Sequence, residues 1–150
     1  MSALPSRPFA LAVFGGIAMF GCSAARPRAL GLVGGRLRPC PTSPNCVSSE
    51  PDTPPDKLVE SFPAPAGRTE FARLAAIVAA WPRTAVITTT GDYLHAESTS
   101  RVWRFTDDQE FRFDSITHVI HVRSASRLGR SDLGVNRKRV EGLRAQWTAR

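Results

Sequence analysis

Hydrophobic residues repeat at helical spacing twice in the chain, both times in its second half. Over residues 70–81 apolar side chains recur every three or four positions, between Thr69 as a candidate N-cap and Pro82 as a stop. A second stripe of this spacing runs from Asn136 to Trp147. The stripes consist of Phe71, Leu74, Ala75 and Val78, and of Asn136, Val140, Leu143 and Trp147. The pattern therefore predicts two amphipathic helices.

Between these helices, apolar and polar residues alternate as they do in half-buried strands. Thr84–Thr90 and Tyr93–Ser100 flank Gly91-Asp92 and predict a hairpin. Further extended segments are predicted at Trp103–Phe105, Glu110–Phe113 and Thr117–Ala125, with a turn or bulge at Asp107-Asp108. The order helix, strands, helix predicts an α+β domain, in which an antiparallel sheet of about four strands carries both helices on one face.

A Pro-rich segment precedes this pattern. Prolines at positions 39, 41, 44, 51, 54, 55, 63 and 65 exclude a helix, so we expect residues 39–65 to run extended across the domain surface as a strap. The predicted single domain covers residues 39–150. Residues 22–38 hold four arginines and no acid, which predicts a basic tether between a membrane and that domain.

The N-terminus has the features of an export signal. An apolar run of twelve residues follows a single charge, Arg7, and is too short to span a bilayer, so we predict that residues 1–21 are a signal peptide. Cys22 follows a glycine as in a bacterial lipobox, where the cysteine takes the lipid. An A-x-A-like site directly after it would instead allow ordinary secretion of a soluble periplasmic protein. We favour a lipid anchor at Cys22.

Two cysteines, Cys40 and Cys46, remain once Cys22 is lipidated or removed. In an oxidising compartment an even pair favours a disulfide, which here closes a seven-residue loop in the strap. A redox couple or a metal pair is the alternative. The spacing differs from the C-x-x-C of oxidoreductases, and no second cysteine pair completes a zinc site.

Several motifs in one order resemble the domain of unknown function 1499 family. They are Pro39-Cys40-Pro41 with Ser43 to Ser49, Tyr93 to Glu97, Phe105 to Phe111, Arg123 to Arg127, and Asp132 to Arg137 with Arg139-Val140-Glu141. The resemblance runs from about residue 39 to the C-terminus. It implies a bacterial envelope lipoprotein, or a relative of plastid and thylakoid-lumen proteins, with no settled activity.

The formal net charge is +7, which favours anionic partners such as phospholipid, nucleic acid or acidic metabolites. Export argues against nucleic acid, and the basic residues of 123–150 lack interleaved exposed aromatic side chains. The expected partners are therefore a membrane, through the N-terminal lipid, and an anionic small molecule or an envelope protein.

Charged side chains collect on the sheet face away from the helices, because residues two apart on a strand share a face. The candidate ligand-binding residues there are His95, Glu97, Glu110, Arg123 and Arg127, while Leu94, Ala96, Phe111, Phe113, Ile120 and Val122 form the opposite, apolar face. The charged face is either a concave ligand site or a solvated lattice of ion pairs that blocks edge association.

The segment from Arg123 to Asn136 is a second candidate for anion binding. Arginine forks and the free N–H groups of a helix start both suit phosphate or carboxylate. Besides the two arginines, its candidate residues are Ser124, Ser126, Asp132, Asn136 and Arg137. The alternative is structural: Arg127 pairs with Asp107 or Asp108, and Asp132 caps the helix.

Catalysis has less support than binding. The sequence has no G-x-S-x-G motif, and paired cysteines leave no thiolate. His95 and Glu97 offer two metal ligands, but a third would have to come from another strand, and we predict no metal or other cofactor. We expect an exported binding or assembly module for an anionic ligand or partner. The alternative is an envelope hydrolase or isomerase with His95 and Glu97 as acid and base, which a concave pocket containing both would favour over a flat, fully paired face.

Overall fold

The computed structural model describes residues 25–27 and 29–149, which contain two helices and eight strands. The helices are α1 (Arg68–Ala79) and α2 (Val135–Thr148). The strands are β1 (Leu32–Val33), β2 (Arg36–Leu37), β3 (Cys46–Ser48), β4 (Phe62–Pro63), β5 (Thr84–Thr89), β6 (Tyr93–Thr99), β7 (Thr106–Asp114) and β8 (Val119–Ser126). The α+β class is confirmed, while the predicted signal peptide and Cys22 lie outside the described residues. In the described ranges, no helix has the length and apolar character needed to cross a membrane.

The main sheet is antiparallel and has six strands, not about four. Its order is β3–β8–β7–β6–β5, and β4 also pairs with β8. The strap supplies β3 and β4, which pair with Arg123–Ala125 and Val119–Ile120 at the outer edge of β8. The strap is extended here as expected, and in addition it joins the sheet as two edge strands. Residues 45–50 contain no proline, so their backbone can pair with the edge of the sheet.

Strand β7 passes without interruption through Asp107-Asp108, where the sequence predicts a turn or bulge. The two carboxylates point to opposite faces, and each meets an arginine: Arg139 on the helix side and Arg127 on the other. These ion pairs stabilise two consecutive acids inside a strand. Trp103–Phe105, predicted to be extended, instead lies in the exposed connection between β6 and β7.

Both helices share one hydrophobic core with the apolar face of the sheet. Phe62 of the strap is fully buried there and meets Trp147 edge-to-face at a centroid distance of 6.1 Å. The buried residues of α2 are the four of the predicted stripe. Helix α1 begins earlier than predicted, after Gly67, whose φ of 70° suits glycine, so Thr69 lies inside the helix and is not its N-cap.

The predicted disulfide joins Cys40 and Cys46, with an S–S distance of 2.00 Å. Ahead of it, β1 and β2 form a hairpin whose two turn residues are glycines with φ of 57° and 77°. Both values fit a type I′ turn, which glycine adopts readily. The hairpin lies against the sheet, because the backbone N–H of Gly31 donates to Glu110 Oε1 at 2.7 Å. The described part of the predicted tether therefore contacts the domain.

Candidate functional site

The sheet face opposite the helices is polar, and we call it the polar face. Alternation along β6, β7 and β8 places Leu94, Phe111 and Val122 in the core and their neighbours on the other side. The polar face consists of Tyr93, His95, Glu97, Asp108, Glu110, Arg112, His121, Arg123 and Arg127. Most of these side chains are buried. Buried charges are tolerated only when they are paired, so their partners decide what the face can do.

At one end of the polar face, Arg127 joins carboxylates from two neighbouring strands. Its Nε and Nη2 donate to Asp108 at 2.8 and 2.7 Å, and Nη2 also donates to Glu97. His95 Nε2 donates to the same Asp108 at 2.8 Å. Burial acts to raise the pKa of Asp108, but the hydrogen bonds from Arg127 and His95 outweigh it and hold that pKa below its ordinary value. The network keeps Asp108 ionised.

One donor atom from each of His95, Glu97 and Asp108 lies within 4.8 Å of the others, which makes a candidate three-ligand cation site. The third ligand comes from the neighbouring strand. However, the guanidinium of Arg127 bonds to both carboxylates and balances their charge. A divalent cation would have to displace this arginine, whose pKa the hydrogen bond to Asp108 raises. The geometry favours an ion-pair network over a metal centre.

In the middle of the polar face, the fully buried Glu110 accepts three hydrogen bonds. Tyr93 Oη donates at 2.8 Å, Arg123 Nη1 at 3.0 Å and the backbone of Gly31 at 2.7 Å. Burial, followed by the charge of Glu110, raises the pKa of Tyr93, so its hydroxyl stays protonated. Arg123 Nε, by contrast, is buried without a hydrogen-bond partner in the described chain. An unsatisfied buried donor of this kind costs about 1–3 kcal/mol.

At the other end, Arg112 and His121 connect the sheet with the strap. Arg112 makes a two-point ion pair with Glu50. Burial acts to raise the pKa of Glu50, but hydrogen bonds from Arg112 and from the backbone of Leu37 hold it below its ordinary value. His121 Nδ1 donates to the carbonyl of Ser49 at 2.9 Å. Burial, followed by the charge of Arg112, lowers the pKa of His121 and favours its neutral form.

Beside this end, the hairpin and the strap enclose a cavity of about 330 Å³. Its lining residues are Val33, Arg36, Leu37, Arg38, Pro39, Cys40, Glu50, Asp52, Thr53 and Pro54. The exposed Arg36 pairs with Asp52 at 2.9 Å. Arg38 Nε, however, is buried and finds no hydrogen-bond partner among the residues that the structure describes. Arg38 therefore lines the cavity with a guanidinium whose Nε lacks an acceptor among the described residues.

Five predicted site residues lie on the helix side of the sheet and not on the polar face. Asn136 Oδ1 accepts from Ser124 Oγ at 2.5 Å, and its Nδ2 donates to Ser126 Oγ at 2.9 Å and to Asp132 at 2.8 Å. Asp132 also accepts from the backbone N of Asn136 and so satisfies an N–H group in the first turn of α2. Arg137 donates to two strap carbonyls. The sheet thus separates these residues from Arg123 and its neighbours.

A family model described as a protein of unknown function, DUF1499, matches residues 36–147. The chain belongs to the DUF1499 family. The resemblance drawn from the motifs is therefore confirmed. No curated protein and no solved structure matches the chain. The DUF1499 match contains the whole polar face, while Gly31, which donates to Glu110, lies before it.

Two residues in this DUF1499 site, Glu50 and Arg38, were missed by sequence analysis. Asp108 was named there only as a possible partner of Arg127, although its place on the polar face could have been predicted, because it alternates in register with Glu110 and would share its face in an uninterrupted strand. Glu50 and Arg38 lie outside regular periodic segments, so no pattern in the sequence indicates what they contact. The structural alternative for Arg127, a pair with Asp108, is confirmed.

Proposed function

We propose that this DUF1499 domain is an exported binding module, anchored through Cys22 to the periplasmic side of a bacterial membrane. The apolar run before Cys22 supports export, and the disulfide in the strap suits an oxidising compartment. Its ligand is an anionic group, carried by a small molecule or by an envelope protein. The net charge of +7 supports a partner of that sign.

The observation that carries the binding proposal concerns Arg38, which lines the cavity between hairpin and strap and whose buried Nε has no hydrogen-bond partner in the described part of the chain. A guanidinium presents Nε and one Nη as parallel donors, which phosphate and carboxylate match with two oxygens. The cavity volume of about 330 Å³ suits a small ligand or one side chain of a partner. Arg123 Nε on the polar face is a second donor of the same kind.

The alternative of a hydrolase or isomerase gains no support from His95 and Glu97. His95 is 3% exposed and donates to Asp108. Burial acts to raise the pKa of Glu97, but hydrogen bonds from Arg26 and Arg127 hold it below its ordinary value, which makes it a poor general acid. Because both groups are paired, we infer that the polar face stabilises the fold and that the ligand binds beside it.

Calorimetric titration of the full chain with inorganic phosphate, and separately with citrate, tests the binding proposal. The key variant is Arg38→Lys, which keeps the charge and loses the fork, with Arg68→Lys on the exposed surface as its matched control. We expect affinity for at least one probe to fall about tenfold or more in Arg38→Lys and to stay unchanged in the control. A loss in Arg123→Lys alone moves the site to the polar face, and equal affinity in all variants contradicts the proposal.

Palmitate labelling tests the anchor. Label should enter the wild-type chain in a bacterial host and be absent from Cys22→Ala. A mature N-terminus at Arg26 without label would show ordinary secretion, and a chain that keeps Met1 in the cytoplasm would contradict export itself.

A further inference from the structure

Two loops at one end of the sheet expose apolar side chains side by side. The loops join β6 to β7 and β8 to α2, and both line a cavity of about 150 Å³. Their backbones are also linked, since Arg127 N donates to the carbonyl of Thr106 at 3.3 Å. The exposed apolar residues, which we call the loop patch, are Val102, Trp103, Phe105, Leu128, Leu133 and Val135.

The loop patch protrudes and is not folded back on the domain. Val102 is 74% exposed, Trp103 72% and Leu133 87%. Scattered single apolar residues are ordinary on a protein surface, but six of them on two loops that share a cavity, lined in part by Phe105, Leu128 and Val135, indicate a binding surface. The tips of the two loops carry the most exposed side chains, so these side chains would contact a binding partner first.

Basic side chains surround the patch and lack partners. Within the described residues, the side chains of Arg101, Arg104 and Arg130 make no hydrogen bond or ion pair, and all three are exposed. The acid between residues 127 and 135 is Asp132, whose oxygens are engaged with the first turn of α2. The surface that the patch presents is therefore apolar at its tips and cationic around them.

We propose that the loop patch docks onto a membrane surface rich in anionic phospholipid. Tryptophan is favoured at the headgroup level, where its ring is buried and its N–H stays hydrated. Arginines beside it bind lipid phosphates, and their attraction to an anionic leaflet adds to the burial of the apolar tips. This surface is separate from the Arg38 cavity and needs no ligand there.

The path of the N-terminal segment supports this orientation. Arg26 Nε donates to Glu97 at 2.6 Å, and Glu97 is also bonded to Arg127, the residue before Leu128 of the patch. Arg26 is four positions after Cys22 in the chain, a reach of at most about 14 Å. A lipid on Cys22, which rests on the proposed function, would therefore hold this end of the domain close to the bilayer.

Quenching of tryptophan emission by brominated acyl chains tests the docking directly. The full chain is mixed with vesicles of phosphatidylglycerol and phosphatidylcholine, or of phosphatidylcholine alone, with brominated lipid in each. Trp147 is buried and Trp81 partly buried, so Trp103 supplies the component that lipid can reach. We expect a quenched component in the anionic vesicles that is absent from Trp103→Phe and smaller in phosphatidylcholine.

Further variants distinguish binding by the loop patch from non-specific adsorption of exposed apolar side chains. Val102→Ser with Leu133→Ser should weaken vesicle affinity by about tenfold or more, and Arg101→Gln with Arg104→Gln should remove the preference for anionic lipid. Ile116→Ser is the matched control, because Ile116 is 89% exposed but lies in the β7–β8 turn at the opposite end of β7. It should leave affinity and quenching unchanged.

Three results would overturn the proposal. Equal quenching in wild type and Trp103→Phe would show that the patch stays away from lipid. Absence of quenching at Trp103 would show the same, and the partner of the patch would then be a protein. An effect of Ile116→Ser equal to that of the patch variants would show that exposed apolar area in general is responsible. If the quenched component persists in Cys22→Ala, docking of the loop patch does not depend on the lipid anchor. The anchor itself is tested by palmitate labelling.

Discussion

Arg112 and Glu50 lie 62 positions apart in the chain and meet in a two-point ion pair beneath the hairpin. The distances are 2.6 Å from Nε to Oε1 and 2.9 Å from Nη2 to Oε2, and both residues are buried. The same Oε1 accepts the backbone N–H of Leu37 at 2.9 Å. One carboxylate therefore holds the sheet, the strap and the hairpin together.

Replacement of this carboxylate should be costly. Glu50→Gln removes the buried countercharge of Arg112 and leaves it only the part-exposed Asp114 at 3.2 Å, so we expect the free energy of unfolding to fall by about 3 kcal/mol in chemical denaturation. Arg68→Gln is the matched control, since Arg68 holds Asp92 in the same two-point geometry on the exposed surface and should have little effect. Equal losses in the two variants would show that burial does not govern the pair.

The Cys40–Cys46 disulfide should stabilise the domain by restricting the unfolded chain. We expect the double variant Cys40→Ala, Cys46→Ala to lose about 2 kcal/mol of unfolding free energy, because the closed loop is short. Reductant should lower the stability of wild type by a similar amount and leave the double variant unchanged. Wild type that is insensitive to reductant would contradict this account.

Asn136 should be a structural residue whose loss is felt in the core. It is fully buried and bonds with Ser124, Ser126 and Asp132. Asn136→Ala removes the amide partner of the Ser124 and Ser126 hydroxyls, while Asp132 keeps its backbone bonds, so we expect a loss of at least about 2 kcal/mol of unfolding free energy in urea. Lys138→Ala on the exposed surface of α2 should change it by less than about 0.5 kcal/mol. A tolerated Asn136→Ala would show that water replaces the amide.

Stability should depend on pH through His121. Its pKa in the folded protein lies below the ordinary value of 6.5, so below that pH the unfolded chain takes up a proton that the folded one resists. Unfolding free energy should therefore fall as pH decreases from 6.5. His121→Asn, whose amide N–H can replace the bond from Nδ1 to Ser49, should flatten this slope. An identical slope in the variant would assign the dependence to another group.

Helices, strands and turns could be predicted from the sequence, because backbone geometry sets which side chains share a face. The stripe from Asn136 to Trp147 predicted the buried residues of α2, and Gly91-Asp92 predicted the turn of the β5–β6 hairpin. The apolar and polar faces of β6 and β8 also followed from alternation. Asp107-Asp108 was misread because acids alone are unfavourable in a strand, whereas these two are balanced by Arg127 and Arg139.

By itself, the sequence determined the α+β class, the faces of the sheet, the disulfide and the family, since each depends on residues near one another or on motifs in order. The tertiary structure decided which charges meet. The strap lies on the edge of β8 and brings Glu50 to Arg112, and the hairpin closes a cavity around Arg38. Such contacts depend on how aperiodic segments pack against distant strands, and no spacing along the chain encodes that packing.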